Sequence, residues 1–140
     1  MCGGSRMILR DVMDKGTETV EFDRSTAEAA NLMREGRTKC IVVTRQQEII
    51  GTITGYDLAI GCLVEGHRPW ECLVFRHMTF PAITANPDLD VSEAIVLMKS
   101  NDVDHLPVVD GGRLLGVVSY GSMVTYLDPS QLMLPASSAA

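Results

Sequence analysis

Residues 38–57 read TKCIVVTRQQEIIGTITGYD, and residues 103–122 read VDHLPVVDGGRLLGVVSYGS. Each stretch contains a short apolar run, a turn, a second apolar run interrupted by one glycine, and then a hydroxyl residue. A constant offset of 65 residues aligns the two stretches, so that Gly51 matches Gly116. An internal duplication decides the fold, and these stretches therefore predict two copies of one small structural unit.

The duplication extends well beyond the two stretches. Between positions 13 and 62, nine residues are identical to the residue 65 positions later, without a gap. Chance gives about three such identities at ordinary residue frequencies. A unit of about 50 residues has a marginal core when it stands alone. We therefore expect the two repeats to fold together around a pseudo-twofold axis, packed sheet to sheet.

The composition narrows the class of protein. The 140 residues are 46% hydrophobic and 21% charged, which indicates a globular protein and excludes a disordered chain. The net charge of −6 makes nucleic acid an unlikely partner. The sequence has no apolar run long enough to cross a bilayer and no secretory signal at its N-terminus, so we expect a cytoplasmic protein that does not bind membranes.

Neither catalytic nor metal-binding motifs are evident. The four cysteines form no Cys-x-x-Cys pair, so they predict free thiols in a reducing compartment. The three histidines, at 67, 77 and 105, do not have metal-ligand spacing, and we predict no metal site and no required cofactor. Because the spacing gives no nucleophile–base pair, we do not expect an enzyme.

Hydrophobic periodicity predicts an α/β (α+β) fold in which each repeat runs β-α-β-β-α. We place repeat 1 at residues 7–65, a linker helix at 66–79, repeat 2 at 80–127 and a flexible tail at 128–140. Pro69 suits a first helical turn, which predicts a helix from Trp70 to Met78 with Trp70 covering a hydrophobic seam. The remaining predicted elements are strands at 17–22, 40–44, 48–54, 82–85, 105–109 and 113–118, and helices at 25–35, 55–63, 90–100 and 120–127.

The repeated motif resembles a known domain. The run Leu106-Pro107-Val108-Val109-Asp110, the Gly-apolar-apolar-Thr/Ser ending and the Asp three residues later in the first repeat are similar to the cystathionine β-synthase (CBS) domain. Two such repeats with the intervening linker resemble a Bateman module, and the resemblance covers residues 7–127. It implies an adenosine ligand (AMP, ADP, ATP or S-adenosylmethionine) in one or both clefts between the repeats, and a homodimer formed through the helices.

The resemblance also implies which residues form the main cleft. Thr54 and Asp57 would face phosphate and ribose, because a carboxylate accepts hydrogen bonds from vicinal hydroxyls. Lys39 would contact phosphate. The simpler alternatives are that Asp57 is a helix N-cap and that Lys39 is a solvated surface residue. The expected contacts to the base are Pro81, Ile83, Val103 and Asp104.

The second cleft departs from this pattern. Ser119 is present, but Ser122 replaces the carboxylate, and Glu18 lies where a base would be expected to rest. His105 would face a phosphate and would bind it better when protonated, or it is an ordinary histidine at a strand edge. We therefore predict that this second cleft is weak or empty.

These observations favour a non-enzymatic regulatory module that senses an adenine nucleotide or S-adenosylmethionine through Thr54 and Asp57. A ligand-free dimeric scaffold that binds a partner protein is the alternative. A redox switch based on the cysteine thiols is a third hypothesis.

Overall fold

The computed structural model describes residues 7–15 and 17–127. The predicted tail at 128–140 lies outside the described residues. The described helices and strands are α1 (Leu9–Val12), β1 (Thr19–Glu21), α2 (Thr26–Gly36), β2 (Cys40–Arg45), β3 (Glu48–Thr54), α3 (Gly55–Leu58), α4 (Val91–Asn101), β4 (His105–Asp110), β5 (Arg113–Ser119) and α5 (Tyr120–Met123). A π-helical segment, Ala59–Val64, continues α3, and two 3-10 turns occupy Val74–Arg76 and Val124–Tyr126. This mixture of helices and small sheets confirms the predicted α+β class.

The chain divides into two compact units. We call Thr17–Ala82 the N-half unit. The other, which we call the C-half unit, consists of the N-terminal segment, residues 7–15, and of the described residues from Ile83 onward. The boundaries of these compact units therefore differ from the predicted boundaries of the sequence repeats, because the N-terminal segment packs with the second half of the chain.

The two units contain the same hairpin. In the N-half unit, β1 pairs parallel with β2, and β2 pairs antiparallel with β3. In the C-half unit, β4 pairs antiparallel with β5. The register shifts between Val43 and Thr44 in one hairpin and between Val108 and Val109 in the other, which are matching positions of the duplication. Both hairpins were predicted from the sequence, and their bounds agree within one residue.

The long helix of each unit begins and ends in the same way. The Ser25 hydroxyl accepts a hydrogen bond from the Glu28 N–H at 3.1 Å, and Asp90 caps α4 in a capping box with Glu93. The helix predicted at 25–35 ends one residue too early, because Gly36 is still helical and Arg37 takes the left-handed conformation, with φ 51°. Asp102 does the same after α4, with φ 56°.

The predicted strand at 82–85 is reduced to one bridge, in which Ala85 pairs with Val108. In the N-half unit, the Phe22 N–H extends the equivalent ladder by donating to the Thr44 carbonyl at 2.8 Å. Pro87 occupies the matching position in the C-half unit and has no N–H to donate. The ladder therefore ends earlier there.

A segment from elsewhere in the sequence completes each sheet. In the C-half unit, Leu9 is fully buried in the core, and Asp14 forms two backbone hydrogen bonds with Val117, both 3.0 Å. In the N-half unit, Val74 is fully buried, and Thr79 forms the same pair of bonds with Thr52, at 3.1 and 2.8 Å. The N-terminal segment thus does for one unit what residues 74–79 do for the other.

The predicted helix from Trp70 to Met78 is wrong, and so is the role predicted for Trp70. Only Val74–Arg76 forms a helical turn, and Trp70 is 67% exposed. The backbone of this segment is bonded to other elements: the Cys72 carbonyl accepts from the Thr26 N–H at 2.7 Å, and the Val74 N–H donates to the Arg24 carbonyl at 2.8 Å. Groups used in this way are not available for a helical ladder.

Within the described part of the chain, no helix combines the length and apolar character needed to span a bilayer.

Candidate functional site

The junction of β3 and α3 holds the two residues on which the site prediction depends. The Thr54 hydroxyl accepts a hydrogen bond from the Asp57 N–H at 3.2 Å, and Asp57 Oδ2 accepts one from the Thr54 N–H at 3.0 Å. This is a capping box, in which Thr54 is the N-cap and Asp57 is the third helical residue. Thr54, and not Asp57, is therefore the N-cap, but the capping role that the alternative gives Asp57 is present, because its carboxylate accepts a hydrogen bond from a backbone N–H at the helix start.

Asp57 takes part in a third hydrogen bond, to a second residue of the same unit. Thr79 Oγ1 donates to Asp57 Oδ2 at 3.4 Å. Among the described residues, the other carboxylate oxygen, Oδ1, has no donor. The carboxyl group is half-buried and is held by one oxygen while the second is available to accept hydrogen bonds from a ligand.

The other residues predicted for this cleft belong to two units. Lys39 and Pro81 are exposed in the N-half unit. Ile83 and Val103 pack against the core of the C-half unit. Asp104 is exposed and accepts a hydrogen bond from His105 Nδ1 at 2.9 Å. The structure thus brings Thr54 and Asp57 together, while the proposed contacts of Lys39, Pro81, Ile83, Val103 and Asp104 with a ligand stay predictions.

The corresponding junction of the C-half unit lacks a carboxylate. Ser119 caps α5 by accepting a hydrogen bond from the Ser122 N–H at 3.2 Å, but the side chain of Ser122 provides no reciprocal bond of the kind that Asp57 makes. His105 pairs with Ser119 across the hairpin, so the structure places these two predicted residues side by side. The weak second site remains a prediction.

Two cysteines and two histidines of the N-half unit lie close together, although their spacing in the sequence did not predict a common site. Cys62, Cys72 and His77 place their donor atoms within 4.8 Å of one another. His67 lies beside them, with Nδ1 3.4 Å from Cys72 Sγ and 3.4 Å from His77 Nε2. We call these four residues the Cys–His cluster.

The burial of the two cysteines and the groups around them define the chemistry of the Cys–His cluster. Cys62 is 3% exposed and Cys72 is 5% exposed. Burial raises the pKa of the Cys72 thiol, and the nearby Cys62 raises it further. Cys62 Sγ donates to the buried Thr26 hydroxyl at 3.2 Å. One signal of the cluster was present in the sequence: positions 62, 67, 72 and 77 alternate cysteine and histidine at intervals of five residues.

Comparison with known proteins places the chain in a family. The family model of the CBS domain matches residues 9–60 and 74–129, and the chain therefore belongs to the CBS domain family. It is 29% identical over 115 residues to the CBS domain-containing protein YhcV of Bacillus subtilis, covering 82% of this chain and 81% of that protein. It is 37% identical over 97 residues to an uncharacterized protein of Methanopyrus kandleri, covering 68% of this chain and 50% of that protein.

Solved structures share the fold. The CBS domain pair of protein MJ0100, crystallised with 5′-methylthioadenosine and S-adenosyl-L-methionine, superposes with a TM-score of 0.76 at 23% sequence identity. The match covers 87% of this chain and 96% of that one. At this level of identity, the similarity establishes the tandem CBS fold.

Proposed function

We propose that this chain is a non-enzymatic regulatory module that binds an adenosine-containing ligand, AMP, ADP, ATP or S-adenosylmethionine, at Thr54 and Asp57. The observation that carries the proposal is the Asp57 carboxylate, which is fixed through Oδ2 while Oδ1 has no donor among the described residues. Such an oxygen is suited to accept a ribose hydroxyl without reorganisation of the site. The MJ0100 domain pair, with its adenosine ligands, supports this class of ligand, and the binding requires no other cofactor.

Asp57→Asn is the variant that tests this role. An asparagine oxygen can still accept the bonds from Thr54 and Thr79, but an N–H₂ group replaces the oxygen that would accept from ribose. Loss of a hydrogen bond to a charged group is worth about 1.5–3 kcal/mol, so we expect affinity to fall by about 10- to 100-fold, while the melting temperature changes little. Titration calorimetry with each of the four ligands measures the effect.

Asp23→Asn provides the matched control, because it removes the same charge from an exposed turn of the same unit. It should leave affinity unchanged, which separates a specific contact from a general electrostatic effect. Folded wild-type protein that binds none of the four ligands at millimolar concentration would refute the proposal, and an Asp57→Asn variant with unchanged affinity would remove Asp57 from it.

The second candidate function, a dimeric scaffold, is favoured by an exposed apolar face. Tyr56, Leu63 and Val64 are 75%, 75% and 73% exposed, and Ile60 lies between them along α3 and its π-helical continuation. Apolar surface of this kind on a soluble protein commonly marks an interface. We propose that the chain forms a homodimer through this face and acts in the cytoplasm, where the Cys62 and Cys72 thiols, which form no disulfide within the described residues, stay reduced.

A charge introduced into this face should prevent the dimer from forming. Leu63→Glu places a carboxylate in the proposed interface, where its burial without a partner is unfavourable. We expect the wild type to have the mass of a dimer and the variant that of a monomer by light scattering coupled to gel filtration. Val96→Glu, at an exposed apolar position of α4, is the control, and a monomeric wild type would contradict the proposal.

A further inference from the structure

The Cys–His cluster has the donor set and the spacing of a metal centre. Zinc in structural sites is bound tetrahedrally by cysteine sulfur at about 2.3 Å and histidine nitrogen at about 2.0–2.1 Å. Tetrahedral geometry with those bond lengths separates two nitrogens by about 3.3 Å and a nitrogen from a sulfur by about 3.5 Å. His67 Nδ1 lies 3.4 Å from His77 Nε2 and 3.4 Å from Cys72 Sγ, in agreement with both values.

Two other contacts show how far the remaining donors are from this geometry. Cys72 Sγ lies 2.8 Å from His77 Nε2, so this pair would separate by less than about 1 Å to accommodate an ion. Cys62 Sγ is within 4.8 Å of both Cys72 and His77. Small side-chain rotations are therefore sufficient to bring these ligands to bonding distance.

Hydrogen bonding alone does not account for the cluster. Cys72, His67 and His77 make three mutual contacts, but an imidazole nitrogen that carries a proton cannot also accept one. At most two of the three contacts can then be well-directed hydrogen bonds, because a closed ring of three would require each atom to donate and accept. A cation at the centre uses the lone pairs of all three atoms at once.

The surroundings of the cluster fix its ligands in position. Glu65 Oε1 lies 3.7 Å from His67 Nε2, which is longer than a hydrogen bond but places a carboxylate on the side of the ring where one commonly orients a metal-binding imidazole. The ring of His77 lies directly over Gly61, where a Cβ would meet Cε1 of the ring at 2.8 Å. A surface depression of about 500 Å³ is lined by His67 and Cys72, among other residues, so two of the four cluster residues border on it.

We propose that Cys62, His67, Cys72 and His77 bind one Zn²⁺ ion in a closed tetrahedral site within the N-half unit. Two thiolates and two neutral imidazoles are a donor set typical of structural zinc. The ion would join the π-helical segment to the connection that follows it. This inference departs from the sequence prediction of no metal site, and it is independent of the proposed nucleotide site.

Cobalt substitution tests the site directly. The full chain is reduced, stripped with a chelator and titrated with Co²⁺, which reports tetrahedral thiolate ligation by visible d–d bands and thiolate charge-transfer absorption. We expect saturation at one Co²⁺ per chain and displacement by Zn²⁺. A folded, reduced wild type that shows neither absorption nor stoichiometric metal would overturn the proposal.

Variants assign the ligands. Cys72→Ser and His77→Asn are expected to abolish the tetrahedral cobalt spectrum, whereas Cys40→Ser and His105→Asn make the same chemical changes outside the cluster and should retain it. His67→Asn is the variant for use if removal of a buried ligand prevents folding, because His67 is only half-buried. It should weaken Co²⁺ binding by at least about tenfold. Metal binding that is unchanged in His67→Asn and His77→Asn would exclude this site.

Discussion

Gly51→Ala and Gly116→Ala are each expected to lower the free energy of unfolding by about 3 kcal/mol or more, which is at the high end for single substitutions. A Cβ on Gly51 would lie 2.5 Å from the Thr79 carbonyl oxygen, and one on Gly116 would collide in the same way with the Asp14 carbonyl oxygen. Backbone atoms cannot rotate away as a flexible side chain can. The segment that closes each sheet would have to withdraw, and the paired hydrogen bonds to Thr52 or Val117 would be lost.

The two units offer matched controls for this prediction. Gly55→Ala in the N-half unit and Gly121→Ala in the C-half unit place a Cβ where no atom lies within 4 Å. Both positions are helical, where alanine is preferred to glycine by up to about 1 kcal/mol. Chemical denaturation should therefore show the control variants equal to or more stable than the wild type. Equal losses in all four variants would mean that close backbone approach is not the reason for Gly51 and Gly116.

The same two glycines show what the sequence could reveal about the fold. Their place in the repeated motif identified the hairpins, because apolar alternation and a short turn are local signals. The sequence did not reveal that each glycine faces a backbone carbonyl of a segment about 30 to 100 residues away. Local sequence patterns do not indicate which distant segment pairs with which sheet. For the same reason, the sequence did not indicate that residues 7–15 pack with the C-half unit.

The prediction of a helix from Trp70 to Met78 was wrong for a related reason. Proline does favour a first helical turn, but propensity is a weak prior that tertiary hydrogen bonds override. Here the Pro69 carbonyl accepts from the Ala27 N–H at 3.1 Å and from the Thr26 hydroxyl at 2.8 Å. The segment is thus fixed to the start of α2, and it is extended or turned where a helix was predicted.

The candidate site was partly predictable. The spacing of Thr54 and Asp57 was sufficient to place both at one helix start, because strand, cap and first turn are consecutive in sequence. The contribution of Thr79 was not, since its hydroxyl reaches Asp57 only through the sheet pairing of a later segment. The Cys–His cluster likewise forms because the chain reverses direction between residues 62 and 77. A five-residue spacing of cysteines and histidines is not an established sign of a metal site, so the sequence did not predict the cluster.

Gly61→Ala should reduce zinc affinity without removing any ligand. The new methyl group would overlap the His77 ring, and the imidazole would have to rotate out of the Cys–His cluster. Loss of support for a metal-bound histidine typically weakens binding by about 10- to 100-fold. The metal-free protein should be affected much less, because a ring can turn away where a backbone carbonyl cannot.

The melting temperature in the presence of zinc gives the readout. At a free zinc concentration 100-fold above the wild-type Kd, binding stabilises the wild type by about 2.7 kcal/mol, or roughly 10 °C or more for a unit of this size. With 100-fold weaker affinity, the same zinc concentration gives Gly61→Ala only about 0.4 kcal/mol. Gly36→Ala is the control, because its Cβ meets Glu18 and Thr38 at ordinary contact distances of 3.6 and 3.7 Å. If Gly61→Ala gains as much from zinc as Gly36→Ala does, His77 is not a ligand in the orientation that the structure shows.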